Sequence, residues 1–292
     1  MKDKMRIGNR EFDTSGHTYI MGILNVTPDS FSDGGKWSGI DNIRRRVEQM
    51  IKEGADVIDV GGESTRPGYV QISDKEEQER VVPVIEMIKR EFDIPVSIDT
   101  YKFGVAAVAL EAGANMVNDI WGLKYDAIAG GISLDGTESF DVASFYPRMA
   151  RIIAFTDVPC CLMHNSVDGN YVDFKTEVKE DLADSLAIAE SAGIDRDKII
   201  LDPGIGFGKT YEQNLIMIRD LDDLYEFDLP ILLGASRKSV IGNALKLPVD
   251  QRVEGTLATT AFAVLHGAMF VRVHDIEENC RFIKMMEAIV NG

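Results

Sequence analysis

The sequence predicts an α/β protein, a single-domain (β/α)8 TIM barrel spanning residues 1–292. Three observations lead there. Eight short apolar runs recur along the chain, each followed by a polar or glycine-rich loop and then a helical pattern. The length of 292 residues suits one closed barrel, which takes about 250. No linker or low-complexity stretch divides the chain.

The runs are Tyr19–Leu24, Val57–Val60, Pro95–Ile98, Met116–Val117, Pro159–Met163, Ile199–Leu201, Ile231–Leu233 and Met269–Val273. They are near-continuously apolar rather than alternating, as parallel strands covered on both faces are. The segments between them read as helices. In Asp173–Ala192, Phe174, Val178, Leu182 and Leu186 fall four apart on one face, and Gly193 supplies the stop. Ser73 and Glu76 make a capping box ahead of a Val81, Ile85, Ile88 stripe. Pro83 inside that stripe predicts a late start or a kink. From Gln251, Val253, Leu257, Ala261 and Val264 form a further stripe ending near Gly267. Eight strands alternating with eight helices favour a closed barrel over an open sheet.

Composition narrows the function classes. A formal net charge of -17 argues against nucleic acid or an anionic membrane as partner. The first ten residues are charged with no apolar stretch behind them, and no run approaches the ~20 apolar residues of a membrane helix. These features point to the cytoplasm. Cys160 and Cys161 are adjacent, so on a strand they face opposite ways, and with no CxxC pair they read with Cys280 as free thiols.

In a barrel of this kind chemistry gathers where the strands end. Those positions hold Asn25–Gly35, Gly61–Gly68, Asp99, Asn118 with Asp119, Met163 with His164, Asp202–Thr210, Gly234–Ser239, and Arg272 with His274. Singly, each has a plainer reading; a lone Asp after a strand is more often a helix cap. DPGIGFGKT is not a Walker A loop, because Pro203 stands where that motif needs glycine, five residues before Gly208. Arg272 and His274 alternate and so share a side, and Lys238 and Ser239 open a helix, which together suggest an anion site. Asn25 offers one hard oxygen to Mg²⁺. Asp99, Asn118 and Asp202 suit the amino-pyrimidine edge of a flat heterocycle, a description that a pterin, a purine or another cyclic amidine satisfies.

Taken together, MGILNVTPDSFSDGG, ADVIDVGGESTRPG, VSIDT, NDI, LMH, IILDPGIGFGKT, LLGASRKS and RVHDI resemble the dihydropteroate synthase family from about Tyr19 to Asp275. The resemblance implies a Mg²⁺-dependent transferase of folate biosynthesis that joins 6-hydroxymethyl-7,8-dihydropterin diphosphate to p-aminobenzoate. It implies that Asp99, Asn118, Asp202, Met163 and Lys238 hold the pterin. Asn25, Arg272 and His274 would hold the diphosphate and metal, and Thr65, Arg66, Pro67, Phe207 and Ser239 the p-aminobenzoate. Asp33 would lie on a first loop that orders over the site. A homodimer is also implied.

Two departures stand out. The Lys124–Pro147 segment is longer than the family's connection, which suggests an insertion at about 124–146. Asn165 follows LMH where the family usually has Met. The other readings are a non-catalytic pterin-binding paralogue and a pterin-dependent methyltransferase, which shares the barrel but not GGESTRPG, SRKS and the Arg272–His274 pair together.

Overall fold

The computed structural model describes residues 3–26, 36–64, 71–129 and 147–292. The chain opens with an antiparallel hairpin of β1 (Lys4–Ile7) and β2 (Arg10–Asp13). Eight further strands lie on the predicted runs: β3 (Tyr19–Asn25), β4 (Val57–Gly61), β5 (Val96–Asp99), β6 (Met116–Asp119), β7 (Cys160–Met163), β8 (Ile199–Asp202), β9 (Leu232–Leu233) and β10 (Phe270–Val273). Their order in the sheet is β8-β7-β6-β5-β4-β3-β10-β9, and every pairing is parallel. A parallel bridge between Leu201 and Ile231 brings the two edge strands together and closes the barrel.

The helices are α1 (Lys36–Glu53), α2 (Asp74–Glu91), α3 (Phe103–Glu111), α4 (Tyr125–Ala129), α5 (Arg148–Thr156), α6 (Phe174–Ala192), α7 (Tyr211–Arg219), α8 (Ser239–Leu245), α9 (Val253–Leu265) and α10 (Ile276–Asn291). The helix expected to open at Lys238 and Ser239 is α8, while the short α4 is an addition that occupies the start of the segment read as an insertion. Its remainder, residues 130–146, lies outside the described residues.

Period-two alternation sorts each strand into two cores. Ile58, Val60, Ile98, Val117, Leu162 and Leu201 face outward and join the helical Val81, Ile85 and Leu182 in one apolar cluster. Met21, Val57, Met116, Cys161, Ile200, Leu232 and Phe270 face inward and form the floor of the barrel. Cys160 and Cys161 fall in different clusters, as adjacent strand residues must. The hairpin closes the floor from below: its Met5, Ile7 and Phe12 are buried against it. Each such side chain contributes about 1.5–3 kcal/mol relative to exposure.

Three local expectations change. Helix α2 starts directly after Ser73 and runs through Pro83 to Glu91 instead of starting late. Only half of its capping box forms: Ser73 Oγ accepts from the Glu76 N–H at 3.2 Å, while the Glu76 carboxylate turns to Arg80 at 2.5 Å. A complete box occurs instead at Thr210 and Gln213, opening α7. Helix α9 buries Thr256, Thr260, Ala263 and Val264, leaving Val253, Leu257 and Ala261 half-buried. Thr260 can sit inward because its hydroxyl donates to Asn279 Oδ1 at 2.7 Å, which removes the cost of burying it.

Candidate active site

Two residues further along, on most strands, the floor gives way to polar groups, with Met163 as the exception. Val57 is followed inward by Asp59, Met116 by Asn118, Cys161 by Met163, Ile200 by Asp202 and Phe270 by Arg272. Asp99 holds the matching place on β5. Strand pairing sets Asp99 level with Asn118 and Met163 level with Asp202, and with Asp59 and Arg272 these groups gather toward the C-terminal mouth.

Arg272 is the hub of that cluster. Its Nε donates to Asp59 Oδ2 at 2.5 Å, and a terminal nitrogen donates to Asp99 Oδ2. Asn118 Nδ2 also donates to Asp59 Oδ2, at 3.2 Å. Burial works against the guanidinium charge, but Asp99 and Asp59 more than restore it and hold its pKa above the usual value. Burial pushes the Asp99 carboxyl up to about 7, with Arg272 opposing and Asp59 adding to the rise. Asp59 Oδ1 and Asp99 Oδ1 are buried and accept no hydrogen bond from a described residue. A buried acceptor left open at a site mouth suits a ligand that brings N–H donors.

Asp59 was missed from sequence. It lies inside the apolar run Val57–Val60, so it looked like a strand interior rather than a strand end. Its signal is the charge itself, because a carboxylate in a two-sided parallel strand must have an ionic partner.

On the other side of the mouth, burial raises the Asp202 carboxyl above its ordinary value and the Lys238 charge opposes the shift. Burial lowers Lys238 to about 8, and Asp202 opposes that in turn. Lys238 Nζ lies 4.6 Å from the centre of the Phe207 ring and donates to the Ile205 carbonyl. Met163 packs in a small apolar cluster with Tyr101 and Ile120, against which Phe207 and Trp121 rest. One wall therefore offers a flat ligand a cation, a ring and a thioether.

His274 and Ser239 approach from the last two loops. Ser236 Oγ lies 3.0 Å from His274 Nδ1 and accepts the His274 backbone N–H at 3.2 Å. Arg237 clasps Asp275, with Nε–Oδ2 at 2.9 Å, and so ties the SRKS turn to the end of β10. Ser239 is exposed as the first residue of α8, and Asn25 is exposed at the end of β3. Asp33, Thr65, Arg66 and Pro67 lie outside the described residues.

Two other strand-end groups are structural. Asp119 caps its own turn, accepting from Trp121 N at 2.9 Å and Leu123 N at 2.8 Å. His164 is fully buried, and burial with the nearby Lys209 and Lys124 charges pulls its imidazole down to about 2, which keeps it neutral.

A family model described as pterin binding enzyme matches residues 21–274. A dihydropteroate synthase of Clostridium beijerinckii is 53% identical over 287 residues, covering 98% of this chain and 99% of that one. The chain belongs to the dihydropteroate synthase family. The structure of the Clostridium difficile dihydropteroate synthase in the presence of pteroic acid is 44% identical, with a TM-score of 0.84 over 99% of this chain and 100% of that one. The Xanthomonas albilineans dihydropteroate synthase with 4-aminobenzoic acid is 34% identical, with a TM-score of 0.86 and full coverage of both chains. Likeness of this extent covers the whole barrel, the hairpin side included.

Proposed function

We infer that this chain condenses 6-hydroxymethyl-7,8-dihydropterin diphosphate with p-aminobenzoate, releasing 7,8-dihydropteroate and diphosphate. The observation that carries the reading of the site is the polar cluster itself. Open carboxylate oxygens and a cation–aromatic wall share the end of the barrel where such folds do chemistry.

In this reading Asp99, Asn118 and Asp202 take the hydrogen-bonding edge of the pterin, and Met163 lines its face. The Lys238 ammonium stands between the pterin and the Phe207 ring. Phe207 and Ser239 then offer p-aminobenzoate an aromatic surface and a hydroxyl for its carboxylate. The bond from the pterin methylene carbon to the diphosphate oxygen breaks, and its electron pair leaves with the diphosphate. The arylamine nitrogen forms a bond to that carbon and loses a proton. Arg272 contributes a fixed positive charge that Asp59 and Asp99 hold in place, and His274, bonded to Ser236, faces the leaving group from β10. Stabilisation of this kind acts through preorganised charge and needs no nucleophile on the protein.

Asn25 offers one neutral oxygen, and among the described residues no group of three His, Cys, Asp or Glu could hold a metal ion. That donor set fits Mg²⁺ carried mainly by substrate phosphates and water, with Asn25 as its protein contact. When bound, the ion offsets charge on the diphosphate.

The test is product formation from the pterin diphosphate and labelled p-aminobenzoate, with and without Mg²⁺. Mg²⁺-dependent dihydropteroate is expected. Pterin binding without turnover would reduce the chain to a pterin-binding paralogue, and neither binding nor turnover would remove the reading.

The chain is further read as a homodimer, since Leu245, Val249, Phe262 and Leu265 on and beside α9 present exposed apolar surface. Sedimentation velocity returning only monomer would overturn this. Among the described residues no helix is long and apolar enough to cross a membrane, and the cytoplasm is read as its compartment.

A further inference from the structure

The loop from Pro203 to Lys209 carries Phe207 to the mouth, yet its own last side chain has no part in the chemistry above. Lys209 Nζ lies 2.6 Å from His164 Nδ1, 3.0 Å from the Gly204 carbonyl oxygen and 3.1 Å from the Phe207 carbonyl oxygen. An ammonium has three N–H donors and no acceptor, so three acceptors use it fully. With Lys209 as the donor, Nδ1 accepts, and Nε2 lies 3.9 Å from Asp181 Oδ2. Asp181 is in turn paired with Lys124 at 2.6 Å. A chain of polar contacts thus runs from the end of β6 to the loop after β8.

The loop needs such a tie because of how it is built. Gly204 and Gly208 have φ of 70° and 52°, in the region that favours glycine. A Cβ on Gly204 would stand 1.9 Å from the His164 carbonyl oxygen, and one on Gly208 would stand 2.6 Å from that of Ser166. The backbone is therefore laid directly on the segment after β7, where no side chain fits. Glycines that permit this approach also leave the unfastened backbone free to adopt other conformations. Side chains supply the fastening: Asn214 Oδ1 accepts from Gly206 N at 2.6 Å, Tyr171 Oη donates to the Gly208 carbonyl at 2.8 Å, and Lys238 takes the Ile205 carbonyl. Lys209 takes the carbonyl of Phe207 itself.

We propose that Lys209 is a positioning residue for the aryl acceptor: seated on His164 Nδ1, its ammonium fixes the Gly204 and Phe207 carbonyls and so the plane of the Phe207 ring. This rests on the reading of Phe207 as the surface that meets p-aminobenzoate. Asp202 belongs to β8, where pairing with β7 holds it, although its Oδ1 also accepts the Gly204 N–H at 2.7 Å and Lys238 takes the Ile205 carbonyl. The consequence is graded: the acceptor subsite loosens more than the pterin subsite.

Steady-state kinetics of the full chain, with KM measured separately for the two substrates, test this in Lys209→Met, His164→Leu, His164→Asn and Phe207→Ala. Thermal melting accompanies each variant. Lys209→Met and His164→Leu are expected to raise KM for p-aminobenzoate about tenfold, the effect of displacing a contact worth about 1.4 kcal/mol. KM for the pterin diphosphate and kcat should move by less than about threefold, well under that 1.4 kcal/mol step. His164→Asn, whose amide oxygen can take the place of Nδ1 as acceptor, should return KM for p-aminobenzoate to within about threefold of the parent. Unchanged KM for p-aminobenzoate in Lys209→Met, alongside a rise in Phe207→Ala, would overturn the role of Lys209. Equal rises in both KM values in every variant, His164→Asn included, would reduce Lys209 to a general support of the fold and overturn it too. If Phe207→Ala itself leaves KM for p-aminobenzoate unchanged, the assignment of Phe207 fails, and the positioning role falls with it. Should Lys209→Met not fold, the contrast between His164→Leu and His164→Asn decides.

Discussion

Replacing Asp59 by Asn tests whether the carboxylate hidden inside β4 governs the site. Asp59 is fully buried, and its Oδ2 takes both Arg272 Nε at 2.5 Å and Asn118 Nδ2 at 3.2 Å. Breaking a buried ion pair outright costs about 3–5 kcal/mol. Here Asp99 still holds the same guanidinium and the asparagine oxygen still accepts, so a loss nearer that of one charged hydrogen bond, about 2 kcal/mol, is expected. At about 2–4 °C per kcal/mol for a chain of this size, Tm should fall by about 4–8 °C.

The same change should move a titration. In the parent, Asp99 has its carboxyl raised from 3.8 to about 7, chiefly by burial, with Asp59 contributing. A carboxyl raised on folding contributes stability that is fully present below its unfolded pKa and lost as pH rises through the folded one. For Asp99 that window runs from about 4 to about 7. Ionised Asp99 is the form that accepts N–H donors, so pterin binding should weaken as pH falls through about 7. Asp59→Asn removes one repelling charge and leaves Arg272 to Asp99 alone, which should lower both the acid midpoint of binding and the upper edge of the stability window. Calorimetric titration with the pterin diphosphate and thermal melting, each followed through the neutral pH range, read these shifts. A parent-like Tm together with an unmoved acid midpoint would refute the coupling of Asp59 to Arg272 and Asp99.

Other perturbations separate site from scaffold. Lys238→Ala and Asp202→Ala should each lower kcat/KM about a hundredfold or more, with melting showing an intact fold, because each removes a charge placed against the reacting ligand. Near-normal rates in both would discard the site assignment. Phe12→Ala, under the barrel floor, should cost about 3–5 kcal/mol in denaturant unfolding and leave both KM values alone; a changed KM with unchanged stability would contradict the role given to the hairpin. Excising Ala127–Phe140, in the segment read as an insertion, should alter kinetics or assembly, and unchanged values of both would show that it serves neither.

Much of the barrel was legible because its signals are local. Each of the eight runs became a strand, since a parallel strand covered on both faces has to be apolar throughout. The ends of those strands drew attention to Asp99, Asn118 and Asp202, which directly follow a run, and to Arg272 near the end of the last one, because in such a barrel the strand ends form the mouth. Legibility failed where satisfaction came from far along the chain. Thr260 is satisfied by Asn279, on the next helix, and Asp59, inside an apolar run, by Arg272, 213 residues away.

The sequence by itself determined the fold class, the positions of the barrel strands and the family, because periodicity and motif order are properties of the chain. Tertiary structure decided how those pieces act on one another. Closure of the sheet between Leu201 and Ile231 set the strand ends in one ring. The β1–β2 hairpin, short and half charged, gained its place only by finding the apolar floor to cover. Arg272 came between two carboxylates, and Lys209 came against His164 and the loop it fastens. Hydrogen bonds and ion pairs depend on distances of a few ångströms between residues remote in sequence, and only the folded barrel brings them that close.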